Sequence, residues 1–342
     1  MVFKLSEAMG LRSLPEGVMP RGVMPKNFVA ASAVESPSGA DLYARFAFAG
    51  AMCCSITHGA LTPVDVVKTR MQLEPEVYNK GMLTGFRQVI QKEGAGALLT
   101  GFGPTCAGYF LQGAFKFGGY EFFKKQWVDA LGMEKAAEYR TGIYLSSSAA
   151  AEFFADVALC PLEATRIRLV SNPTFANGLV SGAARLLKEE GLIRGFYSGF
   201  GPILFKQVPY TMAKFVVFEQ LSEMVYNSMS TPKDQLSNSS VVAVNLSSGV
   251  GAGVCAAIIS QPADTMLSKI NKAGAGGSGG TVSRLFNIAS ELGMRGLFLG
   301  LGARCVMVGT LTAGQFAIYG DIKRILNATG GTDIAKVVTA KQ

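Results

Sequence analysis

The chain carries the stretch PVDVVK at residues 63–68, and the same order of residue types returns as PLEATR at 161–166 and PADTML at 262–267. The second copy starts 98 residues after the first, and the third starts 101 residues after the second. Self-similarity at a nearly fixed period indicates that one structural unit has been copied, and this unit decides the fold. A charge kept beside a helix-breaking proline in every copy favours a moving gate over a catalytic pocket.

The same parts follow one another in each copy. An apolar segment runs into the Pro-acid motif, an amphipathic stretch and a Gly-rich turn follow, and a second apolar segment ends in an aromatic residue. Each apolar segment has about the length that crosses a ~30 Å hydrocarbon core. Because two spans per copy make every copy enter the membrane from the same side, the repeats are expected to be parallel around one axis. The predicted units are a tail over 1–40, repeats over 41–126, 139–226 and 240–326, and a tail over 327–342.

The expected fold class is therefore an all-α membrane protein with six transmembrane helices in three tandem, pseudo-threefold repeats, with short amphipathic helices on one side. The composition agrees with this class. Charged residues make up 16% of the chain, against about 25% in a typical soluble domain, and the mean hydropathy is +0.29. The net charge of +8 fits attraction to anionic lipid or to an anionic substrate, and it does not choose between them.

The first 40 residues and the cysteines give weaker signals. Residues 1–40 contain no apolar run long enough for a signal peptide or a span, and their bases barely outnumber their acids, so a disordered tail is favoured over a targeting segment. The six cysteines show no CxxC spacing. We expect free thiols in a reducing setting rather than a disulfide framework, and neither a metal site nor a cofactor.

The Pro-acid motifs predict a ring of ion pairs at one end of the six-helix ring. The acid of each motif stands three residues before a base in the first two copies, and on converging helices it can reach the base of the next copy. The expected members of this gate are Asp65, Lys68, Glu163, Arg166 and Asp264. Leu267 stands where the third base would be, so at most two pairs are expected and the ring should open easily.

The second apolar segment of each copy breaks the threefold pattern with polar residues. When the segments are aligned on their terminal aromatic residues, the positions four, eight and twelve places earlier share roughly one helix face. The polar residues of this stripe are Gln112, Lys116, Lys206, Tyr210, Lys214 and Gln315. Ionisable groups at membrane depth normally face a cavity or a partner. Because lysine and glutamine donate hydrogen bonds, the stripe predicts a site for a small oxygen-rich anion, with Lys206 and Arg304 as auxiliary charges. The alternative is that Lys116 and Lys214 reach the headgroups from the span ends.

The first apolar segments carry a different asymmetry on a background of small residues. In the first two copies this stripe holds His58, the one histidine of the chain, together with Glu152 and Asp156. A histidine changes charge near neutral pH, and a carboxylate removed from water does so closer to neutrality than usual. The three groups are therefore candidates for taking up a proton together with the anion. The alternative is a permanent pair between either acid and a lysine of the other stripe.

These features resemble the mitochondrial carrier family, whose hallmark is Px[DE]xx[KR]x[KR] in each of three repeats. Arg70, Arg168 and Lys269 fill the last basic position, and the resemblance covers residues 41–325. The stretches 147–156, 207–215 and 308–315, the histidine before the first motif and the apolar Leu267 are similar to the phosphate carrier branch. The resemblance implies a multi-pass carrier of the mitochondrial inner membrane that imports phosphate with a proton, or equivalently against hydroxide. It also implies that four residues are required for this transport: His58, Asp65, Glu152 and Glu163.

The resemblance implies that the Pro-acid motifs form a gate on the matrix side. It also implies a second gate on the cytoplasmic side, with the pattern [FY][DE]xx[KR]. The residues that fit it are Glu121, Lys124, Glu219 and Lys323. Ser222 and Gly320 replace a base and an acid, so this gate should hold weakly. A monomer with cardiolipin at the repeat interfaces is expected, without a nucleic-acid partner. A carrier of another small anion such as a dicarboxylate or sulfate, and a carrier-like scaffold without transport, remain the alternatives, whereas an enzyme is not indicated.

Overall fold

The computed structural model describes residues 39–73, 77–78, 81–172, 174–229, 235–270, 281–298, 300–328, 331 and 334. The expected tail over 1–40 lies almost wholly outside them, as does most of the tail over 327–342. The helices in chain order are α1 (Gly39–Leu73), α2 (Met82–Glu93), α3 (Phe102–Gly113), α4 (Gly119–Leu131), α5 (Met133–Glu138), α6 (Arg140–Ser171), α7 (Leu179–Glu190), α8 (Phe200–Ser228), α9 (Asn238–Ile270), α10 (Thr281–Leu297) and α11 (Leu301–Ile325).

Short turns of other helix types join some of these elements. A 3₁₀ turn at Ala95–Leu99 precedes α3, and a π-helical turn at Leu192–Phe196 precedes α8. A second π-helical turn, Ala114–Gly118, connects α3 directly to α4. Residues 102–131 therefore form one long helix, which we call α3–α4.

Six long helices form a closed ring. Going around it, α1 packs on α3–α4, which packs on α6; α6 packs on α8, α8 on α9, α9 on α11, and α11 returns to α1. Each repeat thus contributes two neighbouring helices, one ending in the Pro-acid motif and one ending in an aromatic residue. The predicted all-α fold with three tandem helix pairs is confirmed.

The two helices of each pair differ in hydropathy. Among the described residues, three helices are long and apolar enough to cross a membrane, over Gly39–Met71, Arg140–Val170 and Asn238–Leu267. Their partners are also long enough, since even α11 has 25 residues and would span about 37 Å at 1.5 Å per residue. They carry more polar side chains, because the lysine and glutamine stripe lies on them.

The prolines of the three motifs lie inside helices. Pro63, Pro161 and Pro262 are interior residues of α1, α6 and α9, and each helix continues for about two to three turns beyond its proline. A proline removes one intrahelical hydrogen bond and favours a bend at that point. We call the end of the ring that carries the motif acids the proline end, and the opposite end the aromatic end.

Close helix contact in the first repeat depends on two glycines. A Cβ atom added to Gly50 would lie 2.4 Å from the carbonyl oxygen of Gly113, and one added to Gly113 would lie 2.2 Å from the carbonyl oxygen of Gly50. These distances leave no room for a side chain, so α1 and α3 touch backbone to backbone, as small residues permit in membrane bundles.

Gly50→Ala should lower the free energy of unfolding by about 1–3 kcal/mol, because the added methyl group forces the two backbones apart. Thermal unfolding in detergent measures the change. The matched control is Gly103→Ala, because the same added atom would meet nothing within 4 Å there and alanine favours a helix interior. Equal stability of Gly50→Ala and the parent chain would contradict the close contact.

Candidate functional site

A buried ion pair joins α3–α4 to α6 in the middle of the ring. The Lys116 ammonium lies 2.9 Å from Glu152 Oε2. Gln112 Nε2 donates to Glu152 Oε1 at 3.3 Å and to Asp156 Oδ1 at 3.4 Å. Lys116 is 3% exposed, and neither carboxylate is exposed at all. We call these four residues the Lys116 cluster.

Helix geometry explains how the Lys116 cluster assembles. Glu152 and Asp156 are four residues apart on α6, and Gln112 and Lys116 are four residues apart on α3–α4, so each pair shares one helix face. Lys116 lies in the π-helical turn Ala114–Gly118. Such turns interrupt the regular helix and often occur at functional sites.

The second lysine of the stripe lies in a different environment. Lys214 is 1% exposed, and its ammonium donates to Gln315 Oε1 at 3.2 Å. It forms no ion pair with a carboxylate in the part of the chain that the structure describes. The alternative that both lysines reach the headgroups does not fit this burial.

Gln315 connects Lys214 to the single histidine. Its Nε2 lies 3.2 Å from His58 Nε2 and 3.8 Å from Cys54 Sγ. Because the amide oxygen accepts from Lys214, the amide NH₂ faces the imidazole, and His58 Nε2 must accept this hydrogen bond. This arrangement requires a neutral imidazole, whose ring stacks on Tyr109 with 3.5 Å between centroids. We call Lys214, Gln315 and His58 the Lys214 cluster.

A triangle of phenylalanines covers the Lys214 cluster on the side of the aromatic end. The ring centroids of Phe117, Phe215 and Phe316 lie 5.2, 5.9 and 5.8 Å apart in the three pairings. The Lys214 ammonium lies 5.5 to 5.9 Å from all three centroids, within the range of cation–π attraction. We call these residues the phenylalanine triangle.

The triangle was not predicted from the sequence, although the sequence contains its signal. Each phenylalanine directly follows a stripe residue, Lys116, Lys214 or Gln315. Three identical residues at equivalent positions of a threefold ring lie at equal distances from its axis, so those on the inward face can meet there. Tyr109 and Cys54 were also missed as neighbours of the Lys214 cluster. Tyr210, a predicted member of the stripe, lies 3.4 Å from Thr312 through their hydroxyl groups.

At the proline end, one of the expected ring pairs forms. Arg166 on α6 contacts Asp65 on α1 at 2.8 Å and Glu163 on its own helix at 3.0 Å. Lys68 is exposed and forms no ion pair among the described residues. Leu267 offers no charge to Glu163. Within the part of the chain that the structure describes, a single ion pair, Arg166 with Asp65, therefore joins two motif helices at this end.

The third acid of the ring is held by other helices. Asp264 on α9 forms an ion pair with Arg304 on α11 and lies 3.8 Å from Lys206 on α8. Arg304 also donates to Ser260 Oγ at 2.8 Å. Two bases predicted as auxiliary substrate charges thus lie against a predicted gate acid, away from the Lys116 and Lys214 clusters.

The predicted residues of the aromatic end also come together. Lys124 contacts Glu121 at 3.1 Å on its own helix and Glu219 on α8 at 3.7 Å. Tyr120 donates its hydroxyl hydrogen to Glu219 at 3.3 Å, and the Lys323 ammonium lies 4.8 Å from the centre of the Tyr319 ring. Ion pairs between helices thus exist at both ends, and the polar residues between them are buried.

The chemistry of the site follows from its charges. The Lys116 cluster contains one base and two acids, and the Lys214 cluster contains one base with neutral partners. Burying an ion is costly unless it is paired, and among the described residues the hydrogen-bond acceptor of Lys214 is the neutral amide oxygen of Gln315. The site can therefore accept an anion at Lys214, and a proton on one of two closely spaced carboxylates. His58 lies apart from those carboxylates, against Gln315.

Comparison with known proteins gives a match over the whole ring. The sequence pattern of the family described as mitochondrial carrier protein matches this chain three times, over residues 41–131, 137–229 and 238–330. Each match contains one long helix with a Pro-acid motif and its aromatic-ending partner.

Relatives from three organisms match most of the chain. Mitochondrial substrate carrier family protein N of Dictyostelium discoideum is 54% identical, over 84% of this chain and 96% of that protein. The probable mitochondrial phosphate carrier protein of Schizosaccharomyces pombe is 44% identical, over 80% and 88%. The mitochondrial phosphate carrier protein of Caenorhabditis elegans is 44% identical, over 87% and 86%.

Proposed function

Because this chain belongs to the mitochondrial carrier protein family, we propose that it carries inorganic phosphate together with a proton across the mitochondrial inner membrane. It is a multi-pass protein of that membrane and a transporter rather than an enzyme. Phosphate is the substrate named for two of the three relatives above, at 44% identity. Phosphate transport follows from this similarity, and the proton coupling is the further part of the proposal.

The observation that carries the proposal is that Lys214 is buried and forms no ion pair with a carboxylate among the described residues. A buried cation with one neutral acceptor favours an anion beside it, and an oxyanion accepts hydrogen bonds from an ammonium group and from amide NH₂ groups. Lys116 and Gln112 supply further donors from α3–α4. If every lysine of the stripe formed an ion pair with a carboxylate, a scaffold without transport would be favoured. Lys116 forms such a pair, whereas Lys214 contacts the Gln315 amide instead.

Charge balance favours one proton per phosphate. Lys116 and Lys214 contribute two positive charges, and ionised Glu152 and Asp156 contribute two negative ones. A phosphate monoanion would leave a buried net charge of −1, which is costly. A proton on either acid restores neutrality, so binding of the anion and binding of the proton support each other.

Among the three predicted proton carriers, we assign the proton to Asp156. Its Oδ2 atom is buried without a hydrogen-bond partner among the described residues, whereas Glu152 already contacts the Lys116 ammonium. His58 accepts a hydrogen bond from Gln315 as a neutral ring, and its role is to hold that amide toward Lys214. Uptake of phosphate with a proton and exchange of phosphate for hydroxide give the same net movement.

Transport requires the two ends to open in turn. The ion pair of Asp65 with Arg166 closes the proline end, which faces the matrix, and Lys124 with Glu219 closes the aromatic end. A ligand shifts such an equilibrium only through different affinity for its states. Phosphate that binds the closed ring more tightly than the open one offsets the loss of these pairs. We further propose that the carrier works as a monomer, with cardiolipin at the repeat interfaces.

Proteoliposomes with an imposed pH gradient test this function. Labelled phosphate should accumulate when the inside is more alkaline, and collapse of the gradient by an ionophore should abolish accumulation. Excess sulfate or a dicarboxylate on the outside should leave uptake nearly unchanged. Strong competition by either anion would instead assign the site to that substrate. Protein-free vesicles and vesicles with heat-unfolded protein are the controls.

A further inference from the structure

The contacts of Arg304 form a charge group that the transport mechanism above does not use. Arg304 and Lys206 approach the same carboxylate, that of Asp264, from α11 and α8. Ser260 accepts a hydrogen bond from Arg304 at 2.8 Å, and its hydroxyl donates to the Ala256 carbonyl oxygen at 2.7 Å. Three helices of the ring thus meet at one acid.

The group of Arg304, Lys206 and Asp264 has a net charge of +1, because it contains two bases and one acid. Two bases face a single carboxylate, and no other carboxylate pairs with either base in the described part of the chain. The Arg304 side chain is 14% exposed, and its Nε atom is buried without a hydrogen-bond partner among the described residues. The side chains of Lys206 and Asp264 are 36% and 35% exposed. The group is therefore accessible and attracts anions.

The position of the group relates it to the central site. Lys206 stands eight residues before Lys214 on α8, which places it on roughly the same helix face about 12 Å nearer the proline end. An anion that leaves Lys214 toward the matrix passes this group before it reaches the solvent. The Asp264 carboxylate has the charge and the two-oxygen geometry with which a phosphate would contact a guanidinium.

We propose that Arg304 and Lys206 form a second phosphate subsite at the proline end, in which the Asp264 carboxylate occupies the anion position while the ring is closed. This proposal rests on the proposed phosphate transport. Phosphate that arrives from the matrix displaces the carboxylate, and α9 is released from α8 and α11. The same exchange of partners thus binds the anion and opens the third repeat. Arg304 and Lys206 in this way hold the third acid of the gate in place of the base that is missing at Leu267.

The test compares phosphate affinity on the two sides of the membrane. Arg304→Gln should raise the KM for phosphate on the matrix side about tenfold, the effect of one charge-assisted hydrogen bond. The KM on the opposite side should change less than twofold. Asp264→Asn should lower the matrix-side KM, because the internal competitor is lost while both bases remain. Uptake and efflux are measured in proteoliposomes whose carrier orientation has been determined by cleavage of a terminal tag.

Two further variants keep the test decisive. Lys206→Gln alters a partly exposed side chain, so it serves as the substitute if Arg304→Gln folds poorly. It should likewise raise the KM for phosphate on the matrix side alone. Arg140→Gln removes an ion pair of 2.7 Å with Glu223 between α6 and α8, and it should leave both KM values unchanged. Equal changes of KM on both sides, or a rise of the matrix-side KM in Asp264→Asn, would show that the group is only a structural lock. A parent protein without phosphate transport would overturn the proposed function itself.

Discussion

Lys214→Gln should reduce phosphate uptake by about 10- to 100-fold, the equivalent of one charge-assisted hydrogen bond of ~1.5–3 kcal/mol. Glutamine keeps a hydrogen-bond donor of similar reach but removes the buried positive charge that attracts the anion. The fold should survive, because the change also removes the cost of burying an unpaired ammonium. Initial rates of labelled phosphate uptake in proteoliposomes measure the effect, and thermal unfolding in detergent checks the fold.

Lys125→Gln is the matched control for this change. Lys125 is an exposed lysine of α4 that pairs with Asp129 at 2.8 Å, so its loss removes the same charge from outside the site. Uptake by this variant should equal that of the parent chain. Unchanged uptake by a folded Lys214→Gln protein would remove Lys214 from the substrate site and, with it, the observation on which the proposed function depends.

Asp156→Asn should separate phosphate movement from the pH gradient. The amide keeps the shape of the carboxyl group but cannot exchange a proton. The charges of Lys116, Lys214 and Glu152 then balance a bound phosphate monoanion without any proton uptake. Net uptake driven by an alkaline interior should fall at least about tenfold. Exchange of internal for external phosphate should continue, because it moves no net proton. Both rates are measured in the same proteoliposomes with and without the gradient.

The surface acid Asp129 offers the control for this prediction. Asp129→Asn on α4 removes a carboxylate that is about half exposed and should change neither rate. If Asp156→Asn loses exchange and gradient-driven uptake equally, Asp156 serves binding or folding instead of proton transfer. If the variant keeps the full response to the gradient, the proton is carried elsewhere, with Glu152 as the remaining acid of the Lys116 cluster.

Much of the fold could be predicted from the sequence because the repeat is strong. The spacing of the Pro-acid motifs predicted three helix pairs, and the structure confirms the closed ring. The stripe on α3–α4, α8 and α11 predicts that Lys116, Lys214 and Gln315 face the interior, because residues four apart share a helix face, and all three side chains are buried. These predictions depend on local periodicity and symmetry alone.

The partners within the ring could not be predicted in the same way. Which acid pairs with which base depends on how far each side chain reaches across the ring. Asp264 pairs with Arg304 on α11, a helix that ends in an aromatic residue, whereas the motif predicts a pair with a base on another motif helix. His58 was grouped with Glu152 and Asp156 because all three break the symmetry, but the structure places it against Gln315. The phenylalanine triangle gives no signal of asymmetry, because its members are identical in all three repeats.

The phenylalanine triangle affects how well the mitochondrial inner membrane can keep its electrochemical gradient. Ion pairs weaken as dissolved salt screens them, over a Debye length of about 8 Å at physiological ionic strength. Aromatic rings carry no ionised group to screen, and a constriction lined by them tends to exclude water. Such a layer interrupts any chain of water molecules along which hydrogen ions could hop. On the proposed function, we expect the respiratory membrane to keep its voltage in the presence of this carrier, and to do so equally well in dilute and concentrated salt.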